Sequence, residues 1–389
     1  MRPDLTLISP YPRLGSRHDG DSGVASYTAN LAHALDAQGL DVCVVAPEID
    51  GERADGYDGR VRVRRAFRSG RPGAVPAALA AARATGAAQV HLQHELFLYS
   101  GAAGLPATTA ALARAKALGP PTAITMHQVV APAAVTKDYT AMHRVRVPPV
   151  AARTAIDAVQ RVLPRLADTV IVHEPSFQRT IPGATVVPHG IEEPAPAAEP
   201  RDRLRARLGL GDELVALCFG FLAPYKGLET ALEAASLAGP GVRVVVAGGP
   251  HPRLAAQGDD YAERLRQRWA DVATFTGYVP DADVSDWFRA ADVLLLPYPE
   301  PHASSGPLAL ALAHRTPVLL SARLAEVVGA DPELAVPPDP AAWADRLRAL
   351  GAGASAAGRL REHVDGMAVD RTWPGVARRH IELYEGGRP

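Results

Sequence analysis

The stretch Leu214-Val215-Ala216-Leu217-Cys218-Phe219-Gly220-Phe221-Leu222-Ala223-Pro224-Tyr225-Lys226-Gly227 leads directly into Leu228-Glu229-Thr230-Ala231-Leu232-Glu233-Ala234-Ala235. Its first six residues form an apolar run, and the last eight of the continuation carry apolar side chains at helical spacing. Glycine and proline punctuate the middle. The reading is strand, turn, helix. A helix start offers free backbone N–H groups, and a lysine beside them adds charge, so a phosphate is welcome there. Such turns are also common in α/β folds that hold no ligand, and Lys226 would then simply begin a solvated helix.

Toward the C-terminus the same pattern recurs. The run 242–247 ends in Gly248-Gly249-Pro250, the run 272–276 in Gly277-Tyr278, and the run 292–296 in Pro297-Tyr298. Ser304-Ser305-Gly306-Pro307 then opens a helix over 308–314, followed by a strand over 317–320. Strands alternating with helices predict a parallel sheet with loops gathered at the strand ends. Ser304-Ser305-Gly306 is a second helix start open to an anion, and two such starts suit a diphosphate. The plainer reading is that the serines only cap their helix.

Toward the N-terminus, Ile191-Glu192-Glu193-Pro194-Ala195-Pro196-Ala197-Ala198-Glu199-Pro200 reads as a stiff linker that does not pack. It divides the 389 residues into two domains of roughly 190 each. Before it come a strand near 4–9, a loop over 10–21, a helix over 23–35 and a strand over 42–46. That is a βαβ unit with parallel strands. Further strands are expected at 60–67, where alternating charge suggests a sheet edge, and at 89–93, 122–126, 169–172 and 184–187. A doubly wound sheet binds ligands beyond the C-terminal ends of its strands. His94-Glu95, His127-Gln128, His173-Glu174 and His189-Gly190 stand at those ends. One such histidine is ordinarily a hydrogen-bonded loop residue, but four on one rim mark a functional cleft. No metal site is expected, because no His-Glu-x-x-His or similar spacing occurs. Gly20 and Gly23 either let a backbone approach a ligand or make a tight turn. The GxGxxG fingerprint is missing, which argues against a nicotinamide-dependent dehydrogenase.

Composition narrows the class. With 47% hydrophobic residues both domains can bury a core. Lys+Arg of 41 against Asp+Glu of 42 argues against a nucleic-acid partner. Cys43 and Cys218 lie in apolar runs, as reduced core residues do. The first apolar run is too short for a signal peptide and no run of eighteen apolar residues occurs, so a cytoplasmic protein without stable membrane insertion is expected. Arg144 and Arg146, with the helix after them, form a basic segment that suits a solvated face better than a membrane surface.

Taken in order, these pieces resemble the retaining, nucleotide-sugar-dependent glycosyltransferases of family 4. The resemblance runs from the glycine loop and helix at 20–35, through Val90-His91-Leu92-Gln93-His94-Glu95, Ile124-Thr125-Met126-His127 and Val187-Pro188-His189-Gly190-Ile191, to the Lys226-Gly227 turn. Phe275-Thr276-Gly277-Tyr278-Val279, the segment from Ser305-Gly306 to Thr316-Pro317-Val318 and the tail from Thr372-Trp373 to Leu383-Tyr384 continue it. It implies the GT-B fold: two Rossmann-like α/β domains, 1–192 for the acceptor and 193–370 for the donor, with parallel sheets facing a central cleft. Residues 371–389 would form a helix packing back on the first domain.

The resemblance also implies a reaction. A hexose, or a derivative, would move from a nucleotide diphosphate sugar to a hydroxyl of a small polar acceptor, with no cofactor and no metal. Lys226 would stabilise the leaving diphosphate and His127 would position sugar hydroxyls. Gly23, Phe221, Gly248, Tyr278, Val279, Glu300, His302, Ser304, Ser305 and Gly306 would hold the donor. Gly20, Gly23, His94, Glu95 and His189 would line the acceptor side. The working form would be a monomer or homodimer. Two departures stand out: Phe221 takes the place of the family's usual arginine, and His302 and Leu310 that of its two glutamates. A non-catalytic GT-B protein that binds a nucleotide sugar, or only a partner glycosyltransferase, and a nucleotide-sugar epimerase are the alternatives.

Overall fold

The runs of Val, Ile and Leu become strands buried on both faces, as parallel sheets covered by helices require. The computed structural model describes residues 2–16, 23–96, 98–100, 104–142, 147–250, 258–299 and 305–386. They divide into two units: residues 2–190 with 373–386, and residues 191–299 with 305–372.

The first unit is built on strands β1 (Leu5–Ile8), β2 (Val42–Pro47), β3 (Asp55–Asp58), β4 (Val61–Phe67), β5 (Gln89–His94), β6 (Thr122–Met126), β7 (Thr169–Val172) and β8 (Thr185–Val186). Their order across the sheet is β3-β4-β2-β1-β5-β6-β7-β8. Only β3 with β4 is antiparallel. The helix Gly23–Ala37 lays Tyr27, Leu31 and Leu35 into the core, where Val376, Ala377 and Tyr384 of the helix Trp373–Gly386 meet them.

The expected sheet edge is corrected here. β4 lies inside the sheet, between β2 and β3, and β3 forms the edge. Asp55-Gly56-Tyr57-Asp58 escapes the sequence reading because Asp and Gly are depleted in strands. Along β4, Val61, Val63, Arg65 and Phe67 are the buried set. Arg65 thus occupies an inward place. Its guanidinium donates to Tyr11 O at 2.9 Å and Pro12 O at 2.7 Å and pairs with Glu52 at 2.7 Å. Glu52 also accepts the Leu14 N–H at 3.0 Å. This buried pair pins the loop that follows β1.

The second unit carries β9 (Leu214–Phe219), β10 (Val242–Ala247), β11 (Ala273–Gly277), β12 (Val293–Leu296), β13 (Val318–Ser321) and β14 (Ala335–Val336). All pairs are parallel, in the order β11-β10-β9-β12-β13-β14. Counted along the unit this is 3-2-1-4-5-6, the doubly wound order, and its direction reverses between β9 and β12. The helix Leu228–Ala238 covers it with Leu228, Ala231, Leu232 and Ala235, the i, i+3, i+4, i+7 stripe. The expected linker does pack at its start. Ile191 is buried, donates its N–H to Arg371 O at 2.8 Å and bridges to Thr372. An apolar side chain with a free amide beside an open backbone has reason to do so.

Candidate active site

At the switch point of the second sheet, β9 and β12 present their ends side by side. Lys226 closes the short turn Pro224–Lys226 after β9, and its side chain is only 8% exposed. Its ammonium donates to the Tyr298 hydroxyl at 2.8 Å. The rings of Tyr298 and Tyr225 lie 4.8 and 5.7 Å away, close enough for cation–π attraction. Among the described residues no carboxylate pairs with it. Burial pulls its pKa from 10.5 down to about 8, so the amine is still charged at neutral pH.

Two glycines make this seat possible. Gly227 has φ 63°, and a Cβ there would sit 2.2 Å from Pro297 O, so only glycine lets the turn rest against the end of β12. A Cβ on Gly248 would sit 2.0 Å from Gly220 O, so β9 and β10 close up at their ends only because it is absent. Ser305 caps the helix Gly306–His314, its Oγ accepting from the Leu308 N–H at 3.3 Å. Gly306, the first helical residue, is exposed. Phe221 is 43% exposed and Tyr278 67%, whereas Val279 is buried. Tyr278 stands beside Gly249, so the residues after β10 and β11 lie together. Sequence reasoning missed Tyr298. The available signal was its place after β12, matching that of Lys226 after the neighbouring strand.

At the strand ends of the first sheet, three of the four expected histidines come together. The Tyr27 ring lies 4.7 Å from His127, 5.1 Å from His173, 4.9 Å from His189 and 5.3 Å from Trp373. Trp373 packs so tightly on Gly190 that a Cβ there would meet the indole at 2.5 Å. Exposed Gly23 opens the Tyr27 helix. His94 is not part of this ring cluster. It is 9% exposed, its Nδ1 has no hydrogen-bond partner, and burial pushes its pKa down to about 4. Glu95 beside it is half-buried.

His127 is more committed than the sequence suggests. Its Nε2 lies 2.8 Å from the Gln93 amide and its Nδ1 3.0 Å from His173 Nε2, while His173 Nδ1 lies 2.9 Å from Val187 O. The carbonyl of Val187 only accepts, so His173 is protonated on Nδ1 and accepts the His127 Nδ1–H. Burial holds the His127 pKa well below its usual value, and a neutral ring then needs a donor at Nε2. The amide of Gln93 supplies it once its oxygen and nitrogen exchange places, and its oxygen then shares the His91 Nε2–H, at 3.3 Å, with the Thr125 hydroxyl at 2.8 Å. His91 Nδ1 in turn accepts from the Tyr384 hydroxyl at 2.6 Å. Every ring stays neutral, and the row runs unbroken from Tyr384 to Val187. Neither ring nitrogen of His127 is left over for a sugar in this arrangement.

The row gives a pH prediction. His94 and His380 titrate near 4 in the fold, and His91 and His127 well below 6.5. An unfolded histidine titrates near 6.5, so the unfolded chain binds more protons between those values. Stability is therefore full above about pH 6.5 and falls as pH drops toward 4, by roughly 3 kcal/mol each for His94 and His380 at about 1.4 kcal/mol per unit, with His91 and His127 deepening the fall. Thermal melts from pH 7.5 to 4.5 should show a steadily falling Tm; a flat profile contradicts the neutral assignment.

Gly20, Glu300, His302, Ser304 and the Arg144 and Arg146 pair lie outside the described residues. Among the described residues no cluster of His, Cys, Asp and Glu suits a metal ion, and no helix is long and apolar enough to cross a membrane.

Comparison with known proteins follows the same division. Residues 22–191 match the family model described as a glycosyl transferase 4-like domain, and residues 213–352 the one described as glycosyl transferases group 1. Over 103 residues the chain is 38% identical to the D-inositol 3-phosphate glycosyltransferases of Mycobacterium tuberculosis and Mycobacterium bovis. That match takes in 25% of this chain and only 21% of those relatives. Sucrose-phosphate synthase from Thermosynechococcus elongatus superposes with a TM-score of 0.69 over 98% of both chains at 22% identity. Anabaena HepE, in complex with UDP and glucose, does so with 0.65 over 99% of this chain and 100% of its own at 15% identity. At such identities the likeness concerns the fold. With two family models spanning most of its length and a parallel α/β sheet in each unit, the chain belongs to the family 4-like glycosyltransferases of the GT-B fold.

Proposed function

We propose that the protein transfers a hexose, or a derivative of one, from a nucleoside diphosphate sugar to a hydroxyl of a small polar acceptor, with retention of configuration. One observation carries this reading: a buried ammonium, Lys226, sits at a doubly wound switch point with no counter-charge among the described residues. A buried cation without an anion is costly, and an anionic ligand relieves the cost. The start of the helix Gly306–His314 after the adjacent strand adds the second anion-friendly element.

In the transfer, negative charge builds on the departing diphosphate, and its stabilisation is the main electrostatic task. Lys226 performs it, helped by backbone amides at Ser305 and Gly306. The backbone at Tyr278 and Val279, with Gly248, receives the nucleoside. Glu300, His302 and Ser304 complete the donor contacts. Gly20, Gly23, His94, Glu95 and His189 face the acceptor. His127 reaches a sugar hydroxyl only by releasing Gln93 or His173, so its part is to hold the rim in place until substrate arrives. The diphosphate oxygen itself takes the acceptor proton on the same face, and neither a metal nor an enzymic nucleophile is required.

The HepE structures hold UDP and UDP-glucose, and the mycobacterial relatives are named for a phosphorylated polyol, which makes uridine nucleotides and small polyols the first to test. Incubation with a panel of nucleotide sugars and candidate acceptors should release nucleoside diphosphate. Phe221 and Leu310, standing where the family pattern has charged residues, favour a second reading, in which the protein binds a nucleotide sugar without turning it over. Tight binding with no diphosphate release from any pair would select that reading instead. Interconversion of the sugar without an acceptor would mark an epimerase.

A further inference from the structure

We infer that Tyr298 is a positioning residue for phosphate recognition: its hydroxyl holds the Lys226 ammonium in place and charged at the strand-order switch point, so that it acts on an anionic ligand. The inference rests on the nucleoside diphosphate reading above and adds a residue to it. Tyr298 is held at both ends. Its carbonyl accepts from the Ser321 hydroxyl at 2.6 Å, and Ser321 itself caps the helix Ala322–Val328. The hydroxyl at the other end accepts from the Lys226 ammonium at 2.8 Å. The ring between is 7% exposed. One residue therefore links the loop after β9 to the ends of β12 and β13, beside the point where the strand order reverses.

The residue type matters. Burial pushes the phenol's pKa well above its ordinary range, so the hydroxyl stays neutral. It accepts one ammonium N–H and leaves two for a ligand. A carboxylate in that place would neutralise Lys226 and compete with phosphate. A phenylalanine would leave the cation with aromatic faces and no acceptor. Among the described residues the other groups facing Lys226 are neutral too: the Tyr225 ring, and the Cys218 thiol, which burial pushes up to about 12. With Phe221 where the family has arginine, this neutral tie is what keeps a single cation charged and aimed.

The test is calorimetric titration of UDP and GDP into wild type, Tyr298→Phe and Ser305→Ala from pH 6 to 9, with Tm as a check on folding. Losing its acceptor favours the uncharged amine. Tyr298→Phe should therefore bind about tenfold more weakly at pH 8 and less so at pH 6, with its alkaline fall in affinity moved about one unit toward acid. Ser305→Ala removes the helix cap and not the ammonium's acceptor, so it should weaken binding at every pH without moving the alkaline limb. A structural role alone would lower Tm and leave the limb in place. Wild type that binds neither nucleotide overturns this inference together with the reading it rests on. Wild type that binds, with both variants matching it in affinity and pH profile, overturns the inference alone.

Discussion

Replacing Lys226 by alanine should cut turnover about 10²-fold or more, the scale of losing a principal stabiliser of transition-state charge. The same change should not weaken the fold. It removes an ammonium that is 8% exposed and, among the described residues, is paired only with a neutral hydroxyl and two rings, and burying such a charge costs free energy. Tm is expected to hold or rise as activity collapses, the opposed movement that marks a residue retained for function at the expense of stability. Turnover measured at saturating donor, alongside a thermal melt, separates the cases. Near-normal turnover in the folded variant sinks the assignment, and a joint fall in turnover and Tm makes the lysine structural.

Arg65→Met should be the most damaging single change to the first unit. The guanidinium side chain is 3% exposed and its partner Glu52 12%. Removing it strands a buried carboxylate and leaves the carbonyls of Tyr11 and Pro12 without their donor. Breaking one side of such a pair costs about 3–5 kcal/mol. Denaturant or thermal unfolding should show a loss of that order, and adding Glu52→Gln should return part of it by removing the unmatched charge. A loss under about 1 kcal/mol would mean that the ion pair is effectively solvated. Because the pair anchors the loop leading toward Gly20 and Gly23, the expected acceptor loop should loosen as well.

Much of the fold was legible because apolar runs, glycine turns and helical stripes alternate on both sides of residue 191. Lys226 was legible for the same reason, standing at the junction of a clear strand and a clear helix. Arg65 was not. The Arg-Val-Arg-Arg run looks like a solvated edge until the period-2 register of Val61, Val63 and Phe67 is followed through Arg65. β3 and β14 were hidden by composition and by length, the latter being only two residues. Tyr298 was hidden because its role depends on two strands 70 or more residues apart becoming neighbours, which periodicity cannot report. The histidine rim was half legible. Four strand ends carry the residues, but which rings cluster, and that His127 is already occupied, depends on His91, Gln93 and Tyr384 beneath them.

The chain leaves the first unit after Gly190 and re-enters it at Trp373. Gly190 lies under the Trp373 indole, and in the other unit Ile191 is bridged to Thr372. The second unit is therefore an insertion whose two ends are stitched to each other. During synthesis the helix Trp373–Gly386 emerges only after the whole second unit, so the first core must wait for it with the Tyr27 helix uncovered. The entropic cost of closing so long a loop would be large for a flexible chain. An inserted unit that has already folded, with its ends clasped at Ile191 and Thr372, turns that loop into a short one. The order of assembly is thus written into the connectivity: the inner unit first, then the outer one around its two ends.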